Sequence, residues 1–239
     1  MSIQAIVLLV GLVAFAVLGL FLMIAGAARQ NRRLAEALKP LGFQSDNLDK
    51  ALVTQKFSLV TERFADTRAT VTTLFKKHTP DHTLYICNYH PRSASGRATG
   101  SSYWLVGALD PNLDLPRFAV EPVPTQGGLL GKMLRTAYAH FSVPGLQKIP
   151  TGFPGFDQRF YVYAPPGLSA SALMSANVMQ HLLSSGHVAL EAKGDTLILS
   201  SLDLEAERKA KGLDPNKLIQ LTALVQTLLA EFHNKGNRT

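Results

Sequence analysis

The sequence predicts an α+β fold: an N-terminal transmembrane helix, then a mainly antiparallel-sheet cytoplasmic domain with two to three packed amphipathic helices. Three observations predict it. Residues 5–28 form an apolar run without a charged side chain, ending at Arg29. From Phe57 to Pro122 apolar and polar residues tend to alternate with period two, in short segments broken by turn residues. Near the C-terminus the period lengthens to three or four, most plainly at Leu218, Leu221, Val225, Leu228 and Phe232.

A helix over the apolar run would be roughly 36 Å long, against a hydrocarbon core of roughly 30 Å. Backbone polar groups find no partner in lipid, so an inserted segment has to be helical. Ala25, Gly26 and Ala27 resemble a cleavage site, but no side-chain charge precedes the run. Its length also exceeds the roughly 7–15 apolar residues of a secretory signal, which favours a retained anchor bounded by Ala5 and Ala28. Gly11, Gly19 and Gly26 are its points of closest approach for a partner helix. It contains neither G-x-x-x-G nor a polar residue, so tight dimerisation and ion conduction are not suggested.

Orientation follows from the flanks. The first four residues hold no Lys or Arg, while Arg29, Arg32, Arg33 and Lys39 follow the run. Cations resist translocation, which predicts a single-pass protein of the inner (plasma) membrane, N-terminus outside and C-terminal domain cytoplasmic. The lone cysteine, Cys87, excludes an intrachain disulfide and fits a reducing compartment.

The net charge is +7, from 24 Lys and Arg against 17 Asp and Glu. The cations are scattered as pairs, such as Lys76 with Lys77 and Lys132 with Arg135, without interleaved aromatics. A nucleic-acid domain concentrates its charge on one face, so no nucleic-acid partner is expected. Arg29, Arg32, Arg33, Lys132 and Arg135 instead form a membrane-surface set suited to anionic headgroups. The expected partners are the lipid bilayer and other integral membrane proteins.

The chain divides into three regions: an anchor and basic juxtamembrane helix (1–40), a sheet-rich half with an amphipathic helix (41–143), and a β-α-β-β-α half (144–239). The first helix should stop before Pro40, which bars the preceding residue from helical geometry. Residues 48–56 suit one or two helical turns. Phe57, Leu59 and Thr61 begin the period of two. Residues 69–77 and Thr83–His90 should form a hairpin, because Pro80 pre-sets a tight turn between them. Residues 91–102 lack any large side chain except Arg and read as a loop. Tyr103–Leu109 resumes a strand, Asp110-Pro111-Asn112 turns, and residues 116–122 extend again with Phe118 and Val120 on one side.

A helix follows Gln126-Gly127-Gly128 and ends at Pro144. Residues 156–163 read as an aromatic strand and 169–184 as a helix. Residues 187–191 and 196–200 are strands around Lys193-Gly194-Asp195. In the last helix Asp214 can cap the N-terminus and Pro215 fits the first turn.

Candidate chemistry is weak. Gly127-Gly128-Leu129-Leu130-Gly131-Lys132-Met133 resembles a phosphate loop, but the first glycine is misplaced and Met133 replaces the hydroxyl that would hold magnesium. His78, His82, Cys87 and His90 fall close together and suggest zinc. Pro80 breaks any shared helix, however, and Cys87 and His90 point to opposite faces of a strand. Turn histidines plus one core cysteine is the default, and no metal or cofactor is expected. Ser95, Ser101 and Ser102 lack a nucleophile elbow, and nothing near Cys87 would activate a thiolate. The acidic pairs Asp110 with Asp114 and Glu205 with Glu207 read as solvated charges. No catalytic residue is assigned.

Three segments carry one family likeness: Leu115-Pro116-Arg117-Phe118-Ala119-Val120-Glu121-Pro122, then Phe156 with Phe160-Tyr161-Val162-Tyr163, then Gly194-Asp195-Thr196-Leu197-Ile198-Leu199. This pattern resembles uncharacterised bacterial single-pass membrane proteins with an L-P-x-F-x-L-x-P strand, a F…Y-x-V strand and a late hairpin. The resemblance covers about residues 55–205. It implies a bacterial membrane-anchored α+β domain and transfers no catalytic residue. The expected function is therefore a non-catalytic, membrane-anchored protein that docks on, assembles or stabilises a larger membrane complex from the cytoplasmic side. The alternatives are a metal-dependent or hydrolytic enzyme using residues 78–90, and a lipid or small-ligand module at the membrane surface.

Overall fold

The computed structural model describes residues 3–60, 69–90, 102–123, 145–201 and 213–236; the side chains at 3–10, 13, 14, 16, 20, 22–24, 27 and 236 lie outside that description. The chain divides into two compact units, Met1–Phe43 and Gln44–Thr239.

The first unit is one helix, α1 (Ile3–Leu38, 36 residues), running into a 3₁₀ turn at Lys39–Leu41. Pro40 sits in that turn. Gly42, at φ 85°, closes it by donating its N–H to the Lys39 carbonyl. A left-handed residue is needed there, and glycine adopts it without steric penalty. The transmembrane part of the expected fold is corrected: among the described residues no helix is long and apolar enough to cross a membrane. Residues 5–28 are uncharged in sequence.

The second unit is built on a nine-stranded antiparallel sheet ordered β1-β2-β3-β4-β9-β8-β5-β7-β6. The strands are β1 (Gln44–Ser45), β2 (Thr70–His78), β3 (Thr83–His90), β4 (Tyr103–Leu109), β5 (Leu115–Pro122), β6 (Gln147–Ile149), β7 (Phe160–Ala164), β8 (Val188–Gly194) and β9 (Thr196–Ser201). The helices are α2 (Lys50–Val60), the short α3 (Phe156–Arg159) and α4 (Ala170–Leu173), α5 (Ala176–Ser184) and α6 (Pro215–Gly236).

The β2–β3 hairpin forms as the turn residues predict, with His78 opposite Thr83 and Leu74 opposite Cys87. Thr79 closes its turn, its N–H and hydroxyl both donating to the His82 carbonyl. The β8–β9 hairpin turns at Gly194, φ 57°. This hairpin sits in the middle of the sheet, β9 against β4 and β8 against β5.

Side-chain alternation sets two layers. Val53, Phe57 and Val60 of α2 share a core with Leu74, Tyr85, Cys87, Tyr89, Leu105 and Ile198 on one face. Leu197, one position from Ile198, points to the other face, together with its cross-strand neighbours Ala192 and Phe118. Phe118 meets Phe232 of α6 there, ring centroids 6.1 Å apart. The sheet thus lies between α2 and α6.

Several elements differ from expectation. Phe57 and Leu59 lie in α2 rather than in a strand. Phe57 is buried with Val53 and Val60 at helical spacing, whereas Leu59 is exposed. The aromatic strand begins only at Phe160, because Gly155 at φ 75° starts a helical turn over Phe156–Arg159. The helix expected over 169–184 is two helices. Ser169 caps the first and Ser175 the second, each hydroxyl accepting an amide N–H at 3.2 Å. Strand β6 adds an edge where only a boundary was expected. The loop 91–101, the helix expected at 126–143 with Lys132 and Arg135, and the connector holding Glu205 and Glu207 lie outside the described residues.

Candidate functional site

In the first unit, α1 exposes large apolar side chains: Leu12, Phe15, Val17, Leu18 and Phe21 are each 56–78% accessible. Gly11, Gly19 and Gly26 have open space where a Cβ would project. Ala28, Arg29, Arg32 and Arg33 are exposed, and Arg32 pairs with Glu36 one turn on, Nε to Oε1 3.2 Å. That solvated pair contributes little. Ala5 lies in the same helix, though its side chain is not described.

Of the candidate metal residues, His78 and His82 lie at the turn of the β2–β3 hairpin, and Cys87 and His90 lie farther along β3. His78 is at the turn end, its Nδ1 3.0 Å from the Thr83 hydroxyl. His90 is at the far end opposite Thr70, seven residues along β3 and so roughly 23 Å from Thr83. Cys87 faces the α2 core, fully buried, and burial pushes its thiol well above the ordinary range. That favours the neutral thiol over a nucleophilic thiolate. Among the described residues no group of three His, Cys, Asp or Glu could hold a metal.

The second unit assembles a polar group around Asp110. Asp110, read as a solvated turn charge, is fully buried. Its Oδ1 accepts the Asn112 N–H at 2.9 Å, and its own N–H donates to the Asp195 carbonyl at 2.8 Å. Its Oδ2 lies 2.8 Å from Nε2 of His233, which is 35% exposed in the last turn of α6. A carboxylate only accepts, so Nε2–H donates and Nδ1 is the nitrogen left over. His82 lies within electrostatic reach of both, its Nε2 buried and without a hydrogen-bond partner among the described residues. Burial lowers its pKa, outweighing the opposite pull of Asp110 and Asp81. A buried carboxylate that orients an imidazole can position it to bind or move a proton.

No sequence signal pairs Asp110 with His233, since 123 residues separate them. The one local hint is Asp110 itself, a short acidic side chain at a strand end that can fold back on its own turn.

The fold and site define a nine-stranded antiparallel α+β domain following a helix with exposed apolar residues. No family model, no curated protein and no solved structure matches the chain.

Proposed function

We propose that the protein is a non-catalytic docking protein, one that assembles or stabilises a larger membrane-associated complex from its cytoplasmic side. The observation that carries this reading is the exposed apolar set on α1, Leu12, Phe15, Val17, Leu18 and Phe21. Apolar surface of this kind gains roughly 25 cal/mol for each Å² removed from water, and contiguous exposure of it marks interaction sites. The adjacent Arg29, Arg32 and Arg33 suit a place beside anionic headgroups, each contributing about 1 kcal/mol close to such a surface. His78 and His82 share the hairpin turn, but Cys87 lies in the α2 core and His90 at the far end of β3, which weighs against the rival metal-enzyme reading.

Gentle extraction followed by native mass measurement tests the proposal. The expected result is a stoichiometric protein partner that is lost when Phe15→Asp and Phe21→Asp are combined, with the circular dichroism of the sheet domain unchanged. A clean monomer without a partner overturns the reading.

A further inference from the structure

A second surface, independent of α1, opens beside the Asp110–His233 pair. A cavity of about 360 Å³ lies between the β4–β5 turn and start of β5, α4, and the end of α6. Leu115, Pro116, Leu173 and Phe232 line it, with His233 and Lys235 among its polar groups. The volume falls in the range of small-ligand sites, roughly 300–1,000 Å³; Leu115 and Pro116 give the lining most of its exposed apolar surface, beside several polar groups.

We propose that this cavity binds an alkyl monocarboxylate, its acid group held by Lys235 and His233 and its chain laid on the apolar wall.

Lys235 is the first support. Its ammonium donates to the carbonyls of Ser171, at 2.7 Å, and Ala172, at 2.5 Å, which fixes the side chain at the cavity. An ammonium has three donors, so one is left for a ligand. Burial lowers its pKa, and among the described residues no carboxylate pairs with it. A half-buried cation with only neutral partners gains from an anion brought into hydrogen-bond range.

His233 is the second. Asp110 engages its Nε2, and the ring is among the groups lining the cavity, where a ring N–H can donate to a carboxylate. The carboxylate of Asp110 behind the ring offsets part of the charge drawn there. Asp114, an exposed carboxylate, also lines the cavity, and its charge disfavours a ligand that brings a second negative group. A single acid group with an apolar tail is therefore preferred over a dicarboxylate.

Titration calorimetry of the full-length protein at pH 6.5 tests this with octanoate, octan-1-ol and suberate as probes. The expected result is saturable octanoate binding, with the alcohol and the diacid each at least about tenfold weaker. Lys235→Met should weaken octanoate by about tenfold or more while leaving the thermal unfolding transition cooperative. The alcohol comparison is made on the unaltered protein, so it decides headgroup recognition even if the variant misfolds. Absence of saturation up to about 10 mM octanoate overturns the proposal. So does equal affinity for acid and alcohol, or a folded Lys235→Met that binds octanoate like the parent.

Discussion

Asp46 shows how single residues tie the first strands together. Its Oδ1 accepts the N–H of Leu48 at 2.6 Å and of Asp49 at 3.4 Å, while its Oδ2 lies 2.5 Å from the Lys76 ammonium. Lys76 also reaches Asp49 Oδ2 at 3.0 Å, and the Tyr85 hydroxyl donates to the same oxygen at 3.0 Å. The Lys76 ammonium holds the Asp46 carboxyl below its usual range, and Asp46, then Asp49, push Lys76 upward in return. Burial first and Asp49 second raise the Tyr85 phenol. A carboxyl whose folded pKa is depressed adds stability above its unfolded pKa, roughly 3.9, and loses it as pH falls through the folded value. Asp46→Asn should therefore be less stable than the parent at pH 7, and the gap should close on acidification from about pH 5 to pH 2. Urea unfolding across that range checks it; a gap independent of pH would show that the charge of Asp46 does not carry the effect.

At the scale of elements, the contact of α2 with the sheet depends on Gly107. A Cβ there would lie 2.4 Å from Phe57 Cζ and 2.9 Å from the Leu197 carbonyl oxygen. The helix can approach β4 so closely because that strand presents no side chain at this position, and Phe57 fills the space instead. The backbone oxygen cannot move aside as a flexible side chain would. Gly107→Ala should destabilise the domain by about 1–3 kcal/mol through overpacking, read as a lowered midpoint of chemical unfolding. An unchanged midpoint would mean that α2 is held less tightly than this geometry implies. On the opposite face α6 follows its amphipathic pattern closely. Asp214 caps it by accepting the Asn216 N–H at 2.9 Å, and Leu218, Leu221, Val225, Leu228 and Phe232 are all buried.

At the scale of the whole molecule, strand order departs from chain order. The β8–β9 hairpin lies between β4 and β5, so residues on both sides of position 144 build one sheet. Fragments 44–143 and 144–239 should each lack a cooperative thermal transition when expressed separately, because each leaves long strand edges unpaired. Co-expression should restore a single transition. A fragment that melts cooperatively by itself would show that the sheet can be divided.

Much of the local structure is legible in the sequence. The β2–β3 hairpin, β4, the Gly194 turn and the stripe of α6 all follow from periodicity and turn residues within a few positions of one another. Phe57 was not legible, because Phe57, Leu59 and Thr61 alternate like a strand while Val53, Phe57 and Val60 fit a helix; packing on Gly107 favours the helix. The candidate site was not legible either. Asp110 is an ordinary turn acid until the β8–β9 turn supplies the Asp195 carbonyl and α6 brings His233 across 123 residues. The sequence by itself determined the β2–β3 hairpin, β4, the Gly194 turn and the apolar stripe of α6, through short-range sterics and the period of apolar residues. Only the tertiary structure decided strand order, the burial of Asp110 and the cavity beside Lys235, because those depend on residues far apart in the chain sharing one dry surface.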